Sequence, residues 1–300
     1  MPQIRCSPLA ICRFLPLFVL LTGTPLMSAE IQKSTHVYKK AGDLEIKLDV
    51  YRDSGTDVQP VVVWIHGGAL IMGNRDGIDQ RVRREFAAPG TILVSLDYRL
   101  APETQLPEII ADIEDAFRFI RSRGPELFHA DPDRIAVVGG SAGGYLTLIA
   151  GYRVQPPPVA LLSIYGYGNL LAPWYTQPSP HPRHRPEIVS RETALQQLAP
   201  HPVAEDRQRP GNGGKFYLYC RQQGAWPKEV TGWDPVTESE KFTPFLPIRN
   251  VTADYPPTFF IHGDKDTDVP HHESIEMSAE LNEHKVENRL IILPNGEHGF

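Results

Sequence analysis

The strongest constraint on the fold is a short apolar strand that breaks into a glycine-rich turn around one serine. Residues 134–144 read RIAVVGGSAGG, and residues 145–150 continue as YLTLIA, which has helical composition. Small residues at positions 139 and 143 allow the sharp turn that pushes the Ser141 hydroxyl out of the backbone. A glycine-rich turn that contains a serine by chance is the alternative, and the flanking strand and helix argue against it. We interpret Ser141 as a nucleophile at a strand-to-helix elbow.

Hydrophobic periodicity predicts an α/β protein. Continuous apolar runs, typical of buried parallel strands, occur at residues 61–65, 91–96, 135–138, 159–162 and 258–261. Between them, apolar residues from Leu106 to Ile120 recur at helical spacing. A hairpin of residues 35–39 and 44–51 starts the domain, and a helix at 271–283 and a strand at 289–293 end it. We therefore expect a mostly parallel, doubly wound sheet.

A long segment at about residues 166–255 interrupts this alternation. It contains a proline-rich stretch at 173–186, and an excursion of this length between core strands is typical of a cap or lid. Its aromatic residues are Trp174, Tyr175, Tyr217, Tyr219, Trp226 and Trp233. We expect most of them to form the core of this insertion and some to line a pocket.

Length and charge limit the function classes. Three hundred residues with 41% hydrophobic composition suit one large domain, which we place at residues 30–300. The formal net charge of −6, without a long basic run, gives no electrostatic footprint for nucleic acid, so we expect no nucleic-acid partner. The sequence leaves the oligomeric state open.

The N-terminus has the pattern of a secretory leader. Arg5 and Arg13 precede the apolar run 14–21, and small or polar residues lead to Ala29. The run is shorter than the roughly 20 residues that span a bilayer. We predict a signal peptide at residues 1–29, a secreted or periplasmic protein, and no stable membrane insertion once the leader is removed. Two of the three cysteines lie in this leader, and we expect the third, Cys220, to be a buried small side chain.

Two polar loops after the last two strands can complete a catalytic set. Residues 262–270 read HGDKDTDVP, and residues 294–300 read PNGEHGF. A serine nucleophile needs a base and an acid that orients the base. We assign His298 as the base and Asp266 as the acid, in preference to Asp264 and Asp268 on the same loop. His262 is expected to have a structural role at the strand end.

Metal binding is the competing interpretation of these acidic and histidine residues. An EF-hand would need glycine and glutamate where Val269 and Ile275 stand. The pairs His181 and His184, and His271 and His272, lack carboxylate or cysteine companions at ligand spacing, so we expect them on the surface. We predict neither a metal nor another cofactor.

The order Ser141, Asp266, His298 is that of the α/β-hydrolase fold. With His66-Gly67-Gly68-Ala69, the segment DYRLAPE at 97–103 and the loops above, the sequence resembles the hormone-sensitive-lipase-like carboxylesterases, including the acetyl esterase branch. The resemblance implies oxyanion-hole amides at Gly68, Ala69 and Ala142, and a bracing role for residues 97–103. Ala69 stands where relatives usually have a third glycine.

The acid loop is also similar to that of acetyl and feruloyl esterases and of prolyl-oligopeptidase-type enzymes. Relatives continue into a final helix after the histidine, so we expect either that this sequence is truncated or that the helix is missing. The predicted function is hydrolysis of a small-molecule or carbohydrate-linked carboxylic ester through an acyl-enzyme. The alternatives are a serine peptidase or lactonase with the same triad, or a catalytically inactive ligand-binding protein.

Overall fold

The computed structural model describes residues 30–300, so the predicted leader at 1–29 lies outside the described residues. Its centre is one eight-stranded sheet with the order β1-β2-β4-β3-β5-β6-β7-β8. The strands are β1 Ile31–Ala41, β2 Leu44–Asp53, β3 Gln59–Ile65, β4 Ile92–Leu96, β5 Ala130–Gly140, β6 Ala160–Ile164, β7 Thr258–Gly263 and β8 Asn288–Leu293. β2 pairs antiparallel with β1 and with β4, and the remaining neighbours are parallel. The predicted fold class is confirmed.

Strand burial follows from the sequence pattern. All five residues of β4 are buried, as expected for an apolar strand covered on both faces. β1 is mostly exposed or half-buried along its length and forms the sheet edge next to β2. Because β3 and β5 to β8 run in the same direction, the loops that follow these strands lie along one edge of the sheet. Ligand sites of such sheets lie at this edge.

Helices cover the sheet. They are α1 Gln80–Phe86, α2 Leu106–Phe128, α3 Ala142–Arg153, α4 Pro173–Thr176, α5 Arg191–Leu195, α6 Gly214–Gln223, α7 Trp226–Thr231 and α8 His272–Glu283. The predicted amphipathic helix is α2, and its apolar positions Leu106, Ile113 and Ile120 are all fully buried. None of the helices within residues 30–300 has both the length and the apolar character that a membrane span requires.

Residues 165–257, between β6 and β7, hold four short α-helices and several 3₁₀ turns. An aromatic cluster of this segment packs against α3, where the ring of Tyr167 stacks on that of Tyr145 at a centroid distance of 5.1 Å. The rings of Tyr175 and Trp226 stack at a centroid distance of 4.1 Å, and Trp174 stacks on Tyr175 at 3.6 Å. Tyr175 and Trp226 are buried, so these side chains serve the core of the insertion, as expected.

Glu273 of α8 fixes the beginning of this segment. Its carboxylate accepts hydrogen bonds from the backbone N–H groups of Gly168 and Asn169, both at 3.0 Å, and from the indole N–H of Trp174 at 2.8 Å. Burial raises the pKa of Glu273 to about 7, even though all three donors favour the ionised form. At a pH between the unfolded pKa and the folded pKa, Glu273 therefore keeps its proton in the folded state and loses it in the unfolded chain.

Glu273 makes stability depend on pH. Its contribution is fully present below the unfolded pKa of about 4.3 and is lost as the pH rises through about 7. Between pH 5 and pH 8 we expect the unfolding free energy of the wild type to fall by about 1–3 kcal/mol more than that of Glu273→Gln. Denaturant titrations at several pH values measure the difference. The control is Glu283→Gln, at an exposed position of the same helix, and identical pH slopes for all three proteins would contradict the prediction.

Candidate active site

Ser141 stands at a strained elbow between β5 and α3. Its backbone angles are φ 57° and ψ −121°, a conformation that L-residues rarely adopt. Close packing around the elbow requires the neighbouring glycines. A Cβ at Gly143 would overlap the carbonyl oxygen of Ile65, and a Cβ at Gly139 would overlap the carbonyl oxygen of Gly143. The glycines therefore let α3 approach β3 directly beneath Ser141.

The three residues predicted to act together lie in one hydrogen-bonded chain. The Ser141 hydroxyl is 3.1 Å from His298 Nε2, and His298 Nδ1 is 2.7 Å from Asp266 Oδ2. Since the carboxylate can only accept, Nδ1 carries the proton and Nε2 is the acceptor that faces the serine. This arrangement allows His298 to take the proton of Ser141 while Asp266 holds the imidazole in the required tautomer.

His262 contacts the same oxygen of Asp266 as His298 does. Nε2 of His262 lies 3.2 Å from Asp266 Oδ2 and 3.0 Å from the carbonyl of Val269, and its Nδ1 accepts from the Ser274 hydroxyl at 2.8 Å. Burial alone would raise the pKa of Asp266, but hydrogen bonds from His262 and His298 lower it to about 2. The predicted structural role of His262 thus extends to holding the acid beside the base.

Glu297 joins the loop of Asp266 to the loop of His298, and the sequence analysis missed this residue. Its carboxylate accepts from the backbone N–H of Thr267 at 2.7 Å and from the backbone N–H of His298 at 2.9 Å. Asp264 makes a second connection, because its Oδ1 accepts from the Asn295 N–H at 2.7 Å. The two loops are therefore tied together at two points.

The predicted oxyanion amides lie on two segments next to Ser141. Gly68 and Ala69 line the same pocket as Ser141, and Ala142 is the first residue of α3. Gly68 has φ +105°, and a Cβ there would overlap the carbonyl of Met72, so this turn requires glycine. Trp226 donates its indole N–H to the carbonyl oxygen of Ala69 at 2.9 Å and thereby ties the insertion to this loop.

The segment 97–103 packs against the loop that contains Gly68 and Ala69. The Tyr98 hydroxyl donates to the carbonyl of His66 at 2.9 Å, and the two rings stack at a centroid distance of 4.2 Å. The N–H of Ala101 donates to the carbonyl of Leu70 at 2.8 Å. These contacts fit the expected bracing role, since no side chain of residues 97–103 lines the pocket.

The pocket beside Ser141 has a volume of about 360 Å³. Its side chains include Trp64, Met72, Asp79, Tyr165, Tyr217, Asp268 and His298. Of the six aromatic residues singled out in the insertion, only Tyr217 lines this pocket. The expected surface position of His184 is wrong, because its side chain is buried and lies 2.8 Å from Asp268 Oδ1. This partner is distant in sequence, so local spacing could not reveal it.

The order of the strands and the helices around them are those of the α/β-hydrolase fold. Residues 48–157 match the family model described as BD-FAE, and residues 216–300 match the prolyl oligopeptidase family. Esterase LipC of Mycobacterium tuberculosis is 25% identical over 299 residues, which cover 92% of this chain and 63% of LipC. The non-reducing polyketide synthase ascC of Acremonium egyptiacum is 25% identical over 311 residues, which cover 91% of this chain and 14% of that protein.

A solved structure of an alpha/beta hydrolase superfamily protein from Enterococcus faecalis superposes with a TM-score of 0.69 at 21% identity, covering 89% of this chain and 90% of that one. The chain spans less than two thirds of the length of both curated relatives. The chain has the α/β-hydrolase fold and is similar in sequence to an esterase.

Gly143 provides a test of the elbow. We expect Gly143→Ala to lower the unfolding free energy by more than about 3 kcal/mol, because the methyl group overlaps a backbone carbonyl that cannot move without displacing β3. Gly42→Ala is the control. Gly42 has φ +60° with open space around its Cβ, so only backbone strain of about 1–2 kcal/mol is expected there. Equal losses in denaturant unfolding would show that packing at Gly143 is not limiting.

Proposed function

We propose that this protein is a serine carboxylesterase that cleaves short-chain esters through an acyl-enzyme. The observation that carries the proposal is the hydrogen-bonded chain from Asp266 through His298 to Ser141 at a strained elbow. The similarity to an esterase over most of this chain supports the same activity. A pocket of about 360 Å³ suits small acyl and alcohol groups, since ligand pockets usually measure about 300–1,000 Å³.

In the proposed reaction, Ser141 Oγ attacks the ester carbonyl carbon while His298 Nε2 takes its proton. The resulting oxyanion accepts hydrogen bonds from the backbone N–H groups of Gly68, Ala69 and Ala142. His298 then gives the proton to the alkoxy oxygen, which leaves as the alcohol. Water activated by the same imidazole attacks the acyl-enzyme, releases the carboxylic acid and returns the proton to Ser141. No metal or cofactor is needed for these steps.

The nucleophile assignment predicts a large effect of one substitution. Ser141→Ala should lower kcat on p-nitrophenyl acetate by about 10⁴- to 10⁶-fold, because the acyl-enzyme cannot form. It should also abolish covalent labelling by a fluorophosphonate. Ser122→Ala, which removes an exposed serine hydroxyl on α2, should retain both properties. A wild-type protein that neither turns over esters nor reacts with the probe would favour the ligand-binding alternative.

Trp226 should matter for the rate although it lies outside the pocket. Trp226→Phe removes the indole donor to the Ala69 carbonyl and loosens a loop that supplies two oxyanion amides. If the lost hydrogen bond raises the activation free energy by about 1–2 kcal/mol, kcat/KM falls by about 5- to 30-fold. The matched control is Trp233→Phe, since Trp233 packs on Phe242 and Phe245 elsewhere in the insertion. Equal losses in the two variants would contradict a specific role of the Trp226 hydrogen bond.

A serine peptidase is the second candidate, because residues 216–300 match the prolyl oligopeptidase family. The same three residues could cleave an amide if the leaving amine were protonated by His298. Comparing an acetyl p-nitrophenyl ester with peptidyl p-nitroanilides separates the two functions. The esterase proposal requires turnover of the ester at a kcat/KM well above that of any of the amides.

We also propose that the enzyme is exported, as a secreted or periplasmic protein. The support is the pattern of residues 1–29, which combines two arginines, a short apolar run and small residues before Ala29.

A further inference from the structure

A second carboxylate, that of Asp268, lies next to the candidate base. Asp268 Oδ2 is 3.8 Å from His298 Nε2, the atom that faces Ser141. Asp268 lines the pocket together with Ser141 and His298, and its side chain keeps 13% of its surface exposed. The proposed mechanism assigns Asp268 no role, because Asp266 already orients the imidazole from the opposite ring nitrogen.

Three side chains of the insertion hold the other oxygen of this carboxylate. Asp268 Oδ1 accepts from Tyr217 Oη at 2.5 Å, from His184 Nε2 at 2.8 Å and from Arg221 Nη1 at 2.9 Å. His184 can donate from Nε2 because its Nδ1 accepts from the Ser179 hydroxyl at 2.7 Å. Burial by itself would raise the pKa of Asp268, and the donors together with nearby positive charge hold it well below its usual range. Asp268 is therefore an ionised group in a fixed orientation.

The two oxygens of the Asp268 carboxylate have different surroundings: Oδ1 faces the insertion and Oδ2 faces the pocket. Within residues 30–300, no donor lies within hydrogen-bonding distance of Asp268 Oδ2, and the nearest imidazole nitrogen is His298 Nε2 at 3.8 Å. The other pocket carboxylate, Asp79, is occupied by Arg81, which contacts both of its oxygens at 2.6–3.0 Å. No lysine or arginine side chain of the described chain lines the pocket. The pocket thus offers one uncommitted anionic acceptor, beside the atom that protonates the leaving group.

The position of this acceptor limits which groups can reach it. During acyl transfer the alkoxy oxygen of the substrate lies about 3 Å from His298 Nε2, since it receives the proton from that atom. Oδ2 lies 3.8 Å from the same nitrogen. A hydroxyl on the carbon next to the ester-bearing carbon can bridge this gap, because gauche vicinal oxygens are themselves within hydrogen-bonding range. A hydroxyl donates its hydrogen to a carboxylate, whereas an ether or a second carboxylate cannot.

We propose that Asp268 Oδ2 accepts a hydrogen bond from a hydroxyl vicinal to the scissile ester, so that monoesters of vicinal diols, such as singly acylated sugar rings or cyclic diols, are the preferred substrates. This inference rests on the esterase function proposed above. Asp268 is then a specificity-determining residue. The contacts from Tyr217, His184 and Arg221 on the insertion hold its carboxylate in the orientation that this role requires. An anionic group at the same place would be repelled.

The test compares three acetates that differ at one position. These are trans-1,2-cyclohexanediol monoacetate, its methyl ether and cyclohexyl acetate. The wild type should hydrolyse the hydroxyl compound with a kcat/KM about 10- to 100-fold above that of the methyl ether, because a hydrogen bond to a charged acceptor is formed only with the former. Asp268→Asn should reduce this ratio to threefold or less. Asp254→Asn removes the same charge at an exposed position outside the pocket and should retain the wild-type ratio.

The ratio separates recognition from a general loss of activity. If Asp268→Asn lowers kcat/KM equally for all three acetates, Asp268 acts only through His298 or through folding, and the specificity proposal is wrong. A wild type that cleaves the three acetates at similar rates overturns it as well, while leaving the esterase function intact. A wild type that cleaves none of them, and no p-nitrophenyl acetate, refutes the esterase function itself.

Discussion

The approach of α3 to β3 beneath Ser141 is the constraint on which the site depends. Gly143 packs against the carbonyl of Ile65 with no room for a side chain, and this contact fixes the turn in which Ser141 has a positive φ. Such a conformation costs on the order of 1–3 kcal/mol and persists only where the surrounding structure over-determines it. Ile65 ends β3, so the contact also fixes the start of the loop with Gly68 and Ala69. One packing contact therefore sets Ser141 and the neighbouring amides relative to each other.

The insertion between β6 and β7 acts on both sides of this arrangement. Trp226 holds the carbonyl of Ala69 on one side, and Tyr217 and Arg221 hold the carboxylate of Asp268 on the other. These side chains belong to α6 and α7, and the ring of Trp226 stacks on that of Tyr175 within the same insertion. The insertion therefore forms hydrogen bonds with the loop of Ala69 and with the loop of Asp268, and it does more than cover the pocket. The insertion is better described as part of the wall of the site.

The sheet and the hydrogen-bonded chain could be predicted from sequence because each has a strong local pattern. Apolar runs of strand length specify the parallel strands, and glycines on both sides of Ser141 specify the elbow. The short helix α1 and the structure inside the insertion had no such pattern. His184 was misplaced because its partner Asp268 lies 84 residues further along the chain. Glu297 was missed for a similar reason, since its role depends on two loops that meet only when β7 and β8 pair.

Asp266 and Asp268 show how one loop gives similar carboxylates different chemistry. Asp266 has no exposed side-chain surface and is held by two histidines, so its charge can only orient and stabilise His298. Asp268 turns one oxygen to three donors of the insertion and the other to the pocket. The residue types in Asp-Thr-Asp do not explain this difference in chemistry, because it arises from which residues surround each side chain after folding. Asp268 Oδ2 is therefore an uncommitted acceptor beside the candidate base, where a substrate hydroxyl could bind it.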